Sequence, residues 1–226
     1  MKKQILSGLL ALVLVVSIVA CKQDTKPGPQ PTPQPQAKTY TVNFYANYDD
    51  GPTEPIMTQT FTEGVQQKLK KNTHKYSLYK FLGWSEEKNS VSETYKNEEE
   101  TTIDKDTDLY AIWKAATKTI KYTGQTSIPG DHGTSITVTT SLTFYDNGEV
   151  VMEAARPGTT NKNTISYSGD PTTTGFVEMT GSINGNRQDL EGRITKASKT
   201  DPLKMELYQV KGKTETKMMD LTENSH

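Results

Sequence analysis

Residues 135–155 read SITVTTSLTFYDNGEVVMEAA, and this stretch decides the fold. Ile136, Val138, Thr140, Leu142 and Phe144 fall on one side of an extended chain, with Thr137, Thr139, Ser141, Thr143 and Tyr145 on the other. A period of two marks a strand buried on one face. Asp146-Asn147-Gly148 then supplies the residue types a tight hairpin needs, and the chain returns through 149–155.

The pattern repeats on both sides of this hairpin. Extended runs are predicted at 119–124, 164–167, 176–183, 190–196, 203–210 and 214–221. Turn chemistry separates them: Ser168-Gly169-Asp170-Pro171, Asn184-Gly185-Asn186, Thr200-Asp201-Pro202 and Lys211-Gly212. With the hairpin, that makes eight strands across 118–222. An antiparallel meander with one apolar face must close on itself or pair with a second sheet. Eight strands is the number at which a barrel fills with side chains or holds one small ligand. The expectation is therefore an up-and-down barrel or a two-sheet sandwich, calycin-like in outline only. Met152, Met179, Met205, Met218 and Met219 sit among its apolar positions, either as ordinary core or as the lining of an adaptable cavity.

Upstream, residues 39–114 read as a separate small body, so the chain as a whole is mainly β. Tyr40, Val42, Phe44, Ala46 and Tyr48 alternate with polar residues, Asp49-Asp50-Gly51-Pro52 makes a turn, and 56–61 is a second strand. Val65 and Leu69, four apart in GVQQKLKK, predict one short amphipathic helix. Phe81-Leu82-Gly83-Trp84, Tyr95 and Leu109-Tyr110-Ala111-Ile112-Trp113 follow. In this order the landmarks resemble the Listeria–Bacteroides repeat, the internalin-type B repeat of bacterial surface proteins. The match covers a third of the chain. It departs at Asp50-Gly51, where the repeat usually has Gly-Gly, and at 72–80, which is longer than usual. The resemblance implies a compact β-grasp-like α+β module whose core holds Phe44, Phe81, Gly83, Trp84, Tyr95, Leu109, Tyr110 and Trp113. Both tryptophans suit a core poor in aliphatics, and Gly83 would let the backbone pass close to a neighbour. Tyr45, Tyr48, Tyr76 and Tyr79 are the candidates for a solvent-facing sugar or peptide platform.

The N-terminus reads as an address. Lys2 and Lys3 precede an apolar run over 5–20. Sixteen helical residues span about 24 Å, short of the ~30 Å hydrocarbon core, as in a cleaved leader. Ile18-Val19-Ala20-Cys21 resembles the bacterial lipobox, and Cys21 is the only cysteine in the chain. The resemblance implies a signal peptide over 1–20, cleavage between Ala20 and Cys21, a diacylglycerol thioether on Cys21, and a further acyl chain such as palmitate on the new N-terminus. Two or three acyl chains give stable membrane anchoring. The implied location is the cell envelope, at the outer membrane or cell surface. Lys22 after the cysteine favours outward transfer under the enterobacterial sorting rule. Residues 21–38 form a tether in which every second residue from Pro27 to Pro35 is proline. Polyproline II at ~3.1 Å per residue lets it reach at most about 50 Å.

Composition narrows the function further. Hydrophobic residues make up 32% of the 226, and the net charge is −1. Without the leader the apolar share falls to roughly 28%, too little for one large enzyme domain but enough for two small ones. The charge balance gives no case for nucleic acid. One cysteine excludes a disulfide scaffold or a multi-cysteine metal site. Asp104, Asp106 and Asp108 hold the first three positions of a calcium loop, but Leu109 and Ala115 stand where it needs Gly and Glu, so no metal is expected. No Gly-x-Ser-x-Gly, His-Glu-x-x-His or phosphate-cradling loop occurs. His74 and His132 fall in different bodies, the latter in an Asp-His-Gly turn. No catalytic residue and no cofactor is therefore assigned. The expected function is a lipid-anchored, non-catalytic binding or adhesion module for an extracellular protein or glycan. The alternative is a periplasm-facing carrier or inhibitor holding a small apolar ligand in the C-terminal body.

Overall fold

Alternating apolar positions and turn-forming pairs give this chain an almost wholly β architecture. The computed structural model describes residues 36–224. The leader and tether expected from the sequence, with Ala20 and Cys21, fall outside them up to residue 35.

The N-terminal sheet contains β1 (Thr39–Tyr45), β2 (Met57–Thr62), β4 (Tyr79–Ser85) and β6 (Thr107–Ala115), in the order β2-β1-β6-β4. β1 runs antiparallel to β2 and parallel to β6, with Phe44 opposite Met57 on one side and Leu109 on the other. The alternation in β1 sends Tyr40, Val42 and Phe44 inward. There they meet Phe61, Trp84 and Leu109 in one core. Phe44 and Phe81 approach the Trp84 ring edge-on, at centroid distances of 4.8 and 4.9 Å. Gly83 lies at a bulge in the pairing of β4 with β6. Beside it, Tyr95 and Trp84 exchange backbone hydrogen bonds at 2.8 and 3.0 Å. A Cβ on Gly83 would stand 2.5 Å from the Tyr95 carbonyl oxygen, so only glycine lets this strand pass.

The helix predicted around Val65 and Leu69 does not form. Gln67–Lys68 is a two-residue strand, β3, paired with β5 (Glu100–Thr101). Leu69 is buried while Val65 is 47% exposed, so the two do not share an apolar stripe. Eight residues with two apolar positions cannot offset helix nucleation, and pairing with 100–101 satisfies the backbone instead. The N-terminal body is thus a β module without the helix of an α+β repeat.

The remaining strands close into a barrel. They are β7 (Lys118–Pro129), β8 (Ser135–Tyr145), β9 (Glu149–Arg156), β10 (Thr159–Ser168), β11 (Gly175–Ile183), β12 (Asn186–Thr195), β13 (Lys204–Lys211) and β14 (Thr214–Glu223). All eight pair antiparallel with their sequence neighbours, and β14 returns to β7. A single 3₁₀ turn, Asp131–Gly133, joins β7 to β8. Of the two closures foreseen, barrel or sandwich, the barrel is observed, and it keeps a trace of the sandwich. Two seams are short: β10 meets β11 through three residue pairs and β14 meets β7 through two. They divide the barrel into two four-stranded walls. Glycine makes room at both. A Cβ on Gly124 would lie 2.2 Å from the Asp220 carbonyl oxygen, and one on Gly181 2.5 Å from Ile165 Cγ2.

Side chains occupy the interior. Tyr122, Leu142, Phe144, Met179, Met205 and Leu207 are all at most 1% exposed. Phe144 stands edge-on to Tyr122 and Tyr167, at 6.1 and 4.9 Å. The Tyr122 hydroxyl donates to the Pro171 carbonyl at 2.6 Å, and burial raises its phenol above the ordinary range. Of the five methionines, Met152 also belongs to this core and Met219 packs against it, while Met218 is 48% exposed. On the outer wall Arg193 bridges Glu191 and Glu215 and lies over the Tyr208 ring.

The residues from Ala37 onward cluster as one compact unit containing these two cores. β6 and β7 are separated only by Ala116 and Thr117. Thr117 and Asp146 fix that corner: the Thr117 N–H donates to Asp146 Oδ1 at 2.8 Å, and the Asp146 N–H returns to the Thr117 carbonyl at 2.9 Å.

Candidate binding site

The site begins with a turn in the long 72–80 segment. The Tyr79 N–H donates to the Tyr76 carbonyl at 3.0 Å, closing a four-residue turn whose third residue, Leu78, has φ +61°. That left-handed conformation favours Gly or Asn, and a branched apolar residue adopts it only where its surroundings compel it. Leu78 is held on both sides. Its N–H donates to Glu149 Oε2 at 2.5 Å, and its carbonyl accepts from the Ala116 N–H at 2.9 Å. Asn147 Nδ2 donates both to the Tyr79 carbonyl at 3.3 Å and to Glu149 Oε2 at 2.7 Å. Lys80 pairs with Asp146 at 3.3 Å. The hairpin that opens β9 therefore clasps the turn. The Thr117 N–H and the Lys80 ammonium together hold the Asp146 carboxyl below its usual range.

The product of the turn is a column of rings. Tyr76 stacks on Tyr79 with centroids 4.0 Å apart and planes within 6°, and on Tyr48 at 4.1 Å and 7°. Offset parallel stacking at this separation is a favourable aromatic geometry. Tyr48 enters from the turn after β1, where Gly51 leaves its ring space: a Cβ there would lie 2.8 Å from Tyr48 Cε2. At that end the Tyr48 hydroxyl and His74 Nε2 share a hydrogen bond at 2.8 Å. Trp113 stands edge-on beneath Tyr48 and Tyr76, with its Nε1 donating to the Ala46 carbonyl at 2.6 Å. Phe81 meets Trp113 at 5.3 Å and Trp84 at 4.9 Å, so the column stands on the buried core. The adjacent Tyr79 hydroxyl, with burial second, raises the Tyr76 phenol above its ordinary value.

Between the column and the hairpin lies a cleft of about 290 Å³. Tyr79, Phe81 and Trp113 give it an aromatic wall; Lys80, Asn147 and Glu149 give it a polar one. A second depression, of about 470 Å³, lies where Tyr45 stacks on Tyr110 at 5.1 Å, with Asn47, Asp49 and Lys88 around it.

The residues singled out in the sequence separate into groups. Phe44, Trp84 and Leu109 are fully buried. Phe81 is half-buried against them, and Gly83 passes the neighbouring strand. Tyr95 is half-buried beside Trp84, with its hydroxyl donating to Glu86 at 2.9 Å. Burial, then that carboxylate, pushes the Tyr95 phenol up to about 12. Tyr110 lies on the other side of the sheet, with Tyr45. Trp113, foreseen as core, is only partly buried, because it caps the core and supports the column. Of the four platform tyrosines, Tyr48, Tyr76 and Tyr79 come together and Tyr45 does not. Asp106 and Asp108 accept hydrogen bonds from the Thr41 N–H and the Asn43 side chain of β1. Among the described residues, no group of three or more His, Cys, Asp or Glu is placed to hold a metal ion.

Leu78, Asp146, Asn147 and Glu149 were not foreseen as parts of the site. The extra length of 72–80 was the one signal pointing there. Compared with known proteins, the chain matches no family model, no curated protein and no solved structure.

Proposed function

We propose that this protein is a lipid-anchored cell-envelope protein acting as a non-catalytic binding or adhesion module, with the Tyr48–Tyr76–Tyr79 column as its contact surface. One observation carries the reading: three parallel rings stack at the surface, two of them held by a clasped turn and the third by the turn after β1, and Tyr79 remains 36% exposed. Rings fixed before contact lose little entropy on binding, and tyrosine and tryptophan dominate binding hot spots for that reason. The lipobox-like sequence ending at Cys21 and the proline-rich tether support display away from a bilayer, and the resemblance of 39–114 to a surface-protein repeat agrees with it. The carrier alternative is the less supported: Tyr122, Phe144 and Met205 are fully buried within the barrel, and the depression of about 520 Å³ beside Met179 and Leu190 is ringed by Glu178, Arg187, Asp189 and Glu191.

Protease treatment of intact cells tests the display. Cleavage of the full-length protein is expected; complete protection together with failed surface labelling would overturn the reading. Cys21→Ser should abolish incorporation of labelled fatty acid and release the protein from membranes. The double variant Tyr48→Ala/Tyr76→Ala should remove attachment of intact cells to their substratum while the protein stays displayed. Unchanged attachment would remove the column from the reading.

A further inference from the structure

From the cleft between Tyr79 and the 146–149 hairpin we infer a subsite for one sugar ring of a neutral glycan, with Tyr79 as the stacking platform. The inference rests on the binding-module reading and names its ligand class. Three observations lead to it. First, the cleft has two unlike walls. A pyranose presents an apolar face of C–H groups and a rim of hydroxyls, so it can lie against an aromatic ring while its edge meets donors and acceptors. Tyr79 supplies the ring: Tyr76 covers one of its faces, and no other aromatic residue packs on it among the described residues. Asn147 supplies an acceptor, and Lys80 supplies a donor, on the polar wall. A proline-rich peptide would use the aromatic wall but offers few donors to the remaining acceptor capacity of the polar wall, because proline has no backbone N–H.

Second, the charges cancel. Lys75 and Lys80 are matched by Asp146 and Glu149 around the cleft. Lys80 is already paired with Asp146, and Glu149 already accepts from Leu78 and Asn147. An acidic ligand would have to break these pairs, whereas a neutral hydroxylated ring adds to them.

Third, the size and the stiffness fit a single ring. About 290 Å³ is just below the roughly 300–1,000 Å³ typical of pockets for drug-sized ligands, as a site for one ring should be. The turn that places Tyr79 is held by Glu149, so the platform is in position before the ligand arrives. Glu149 is here a positioning residue.

The test is saturation-transfer NMR on the full-length chain in detergent micelles, with cellotetraose, chitotetraose and mannotetraose as probes. Transfer to the ring C–H protons of at least one probe is expected, with affinity falling roughly tenfold or more in Tyr79→Ala and in Tyr79→Leu, the loss of an aromatic anchor. The leucine variant keeps the apolar bulk, so its loss isolates the flat ring. Asn147→Ala should weaken the same probe, and Tyr110→Ala, on the other side of the sheet, should leave it unchanged. Glu149→Ala should weaken binding and Glu149→Gln, which keeps an acceptor, should restore it. Silence of all three sugars, or transfer unaffected by both Tyr79 variants, overturns the inference. If the sugars are silent while a Pro-Gln-Pro-Gln-Pro peptide binds, or while the Tyr48→Ala/Tyr76→Ala cells lose attachment, the sugar subsite fails and the binding module stands. Unchanged attachment by those cells removes the column instead.

Discussion

The backbone N–H of Leu78 donates to the side chain of Glu149 at 2.5 Å, joining residues 71 positions apart. Leu78 has φ +61°, a conformation that costs a non-glycine residue of order 1–3 kcal/mol. The carboxylate is what keeps the turn there. Glu149→Ala leaves the Leu78 N–H without that partner and frees the turn to relax. A hydrogen bond to a charged group contributes about 1.5–3 kcal/mol, so urea denaturation should show a loss in that range. Because the turn sets the Tyr76–Tyr79 stack, the near-ultraviolet circular dichroism of the tyrosines should change with it. A loss of stability with the tyrosine signal unchanged would separate the clasp from the column.

Asp146 makes the same corner sensitive to acid. Its carboxyl is held low chiefly by the Thr117 N–H, with the cations of Lys80 and Lys114 adding to the effect. A carboxyl whose folded value lies below its unfolded value, near 3.9, contributes stability fully above that value. The contribution is lost as pH falls through the folded value. Asp146→Asn should therefore be less stable than the parent at pH 7, and the two should converge as pH falls through the folded value of the carboxyl. Denaturant melts between pH 2 and pH 7 measure this. A constant gap between the two curves would mean that Asp146 acts without its charge.

How much of this the sequence made legible depends on the range of the interaction. In β8 the inward positions Leu142 and Phe144 were readable because alternation is a local property; the burial of Ser141 and Thr143 on the opposite face was not, because it does not follow from that pattern. Turn residues fixed where each strand ends, and eight antiparallel strands left few ways to close. The choice of a barrel was not local. It depends on whether Gly124 lets β14 approach and Gly181 lets β11 lie against Ile165, contacts between residues far apart in the chain. The failed helix at 65–69 has the converse cause: a local pattern of two residues was outweighed by pairing with 100–101. In the site, the aromatic residues could be named, since solvent-facing tyrosines next to turns are visible in composition. Their assembly could not, because Glu149 reaches Leu78 from the other body. The same holds for Trp113, whose place at the edge of the core depends on Tyr48 and Tyr76 lying over it.

Trp84 presents a cost inside the N-terminal core. It is fully buried, and its Nε1 has no hydrogen-bond partner. A buried unsatisfied donor costs about 1–3 kcal/mol, which offsets part of what the large ring contributes. Trp84→Phe removes the orphan donor and keeps an aromatic face for Phe44 and Phe81, but leaves a smaller ring in the same space. The two effects oppose each other, so the net loss should stay below about 1.5 kcal/mol, against about 3–5 kcal/mol for Trp84→Ala. Equilibrium unfolding of the two variants decides it. A Trp84→Phe loss well above this, in proportion to the volume removed, would mean that the indole N–H carries no penalty and that packing alone sets the stability of this core.

The seam between β7 and β14 sets the last expectation. Only Thr123–Thr222 and Tyr122–Glu223 pair across it, with Asn224 adding one backbone bond to Lys121 at 2.9 Å. Gly124 lies beside these pairs, and the atom that a Cβ would meet there is the Asp220 carbonyl, part of the opposing backbone. At the other seam a Cβ on Gly181 would meet Ile165 Cγ2 at 2.5 Å and its Cβ at 2.7 Å, a close approach to a stiff side chain but less severe than the 2.2 Å to backbone at Gly124. Overpacking costs typically 1–3 kcal/mol, more where the backbone must move. Gly124→Ala should therefore destabilise the barrel more than Gly181→Ala. Its effect should also be directional: amide exchange should accelerate at residues 121–124 and 221–224 before the β8–β9 hairpin loses protection, because the hairpin is paired along most of its length. If both variants lost equal stability and the hairpin exchanged together with the seam, the barrel would open as one unit rather than along its two joints.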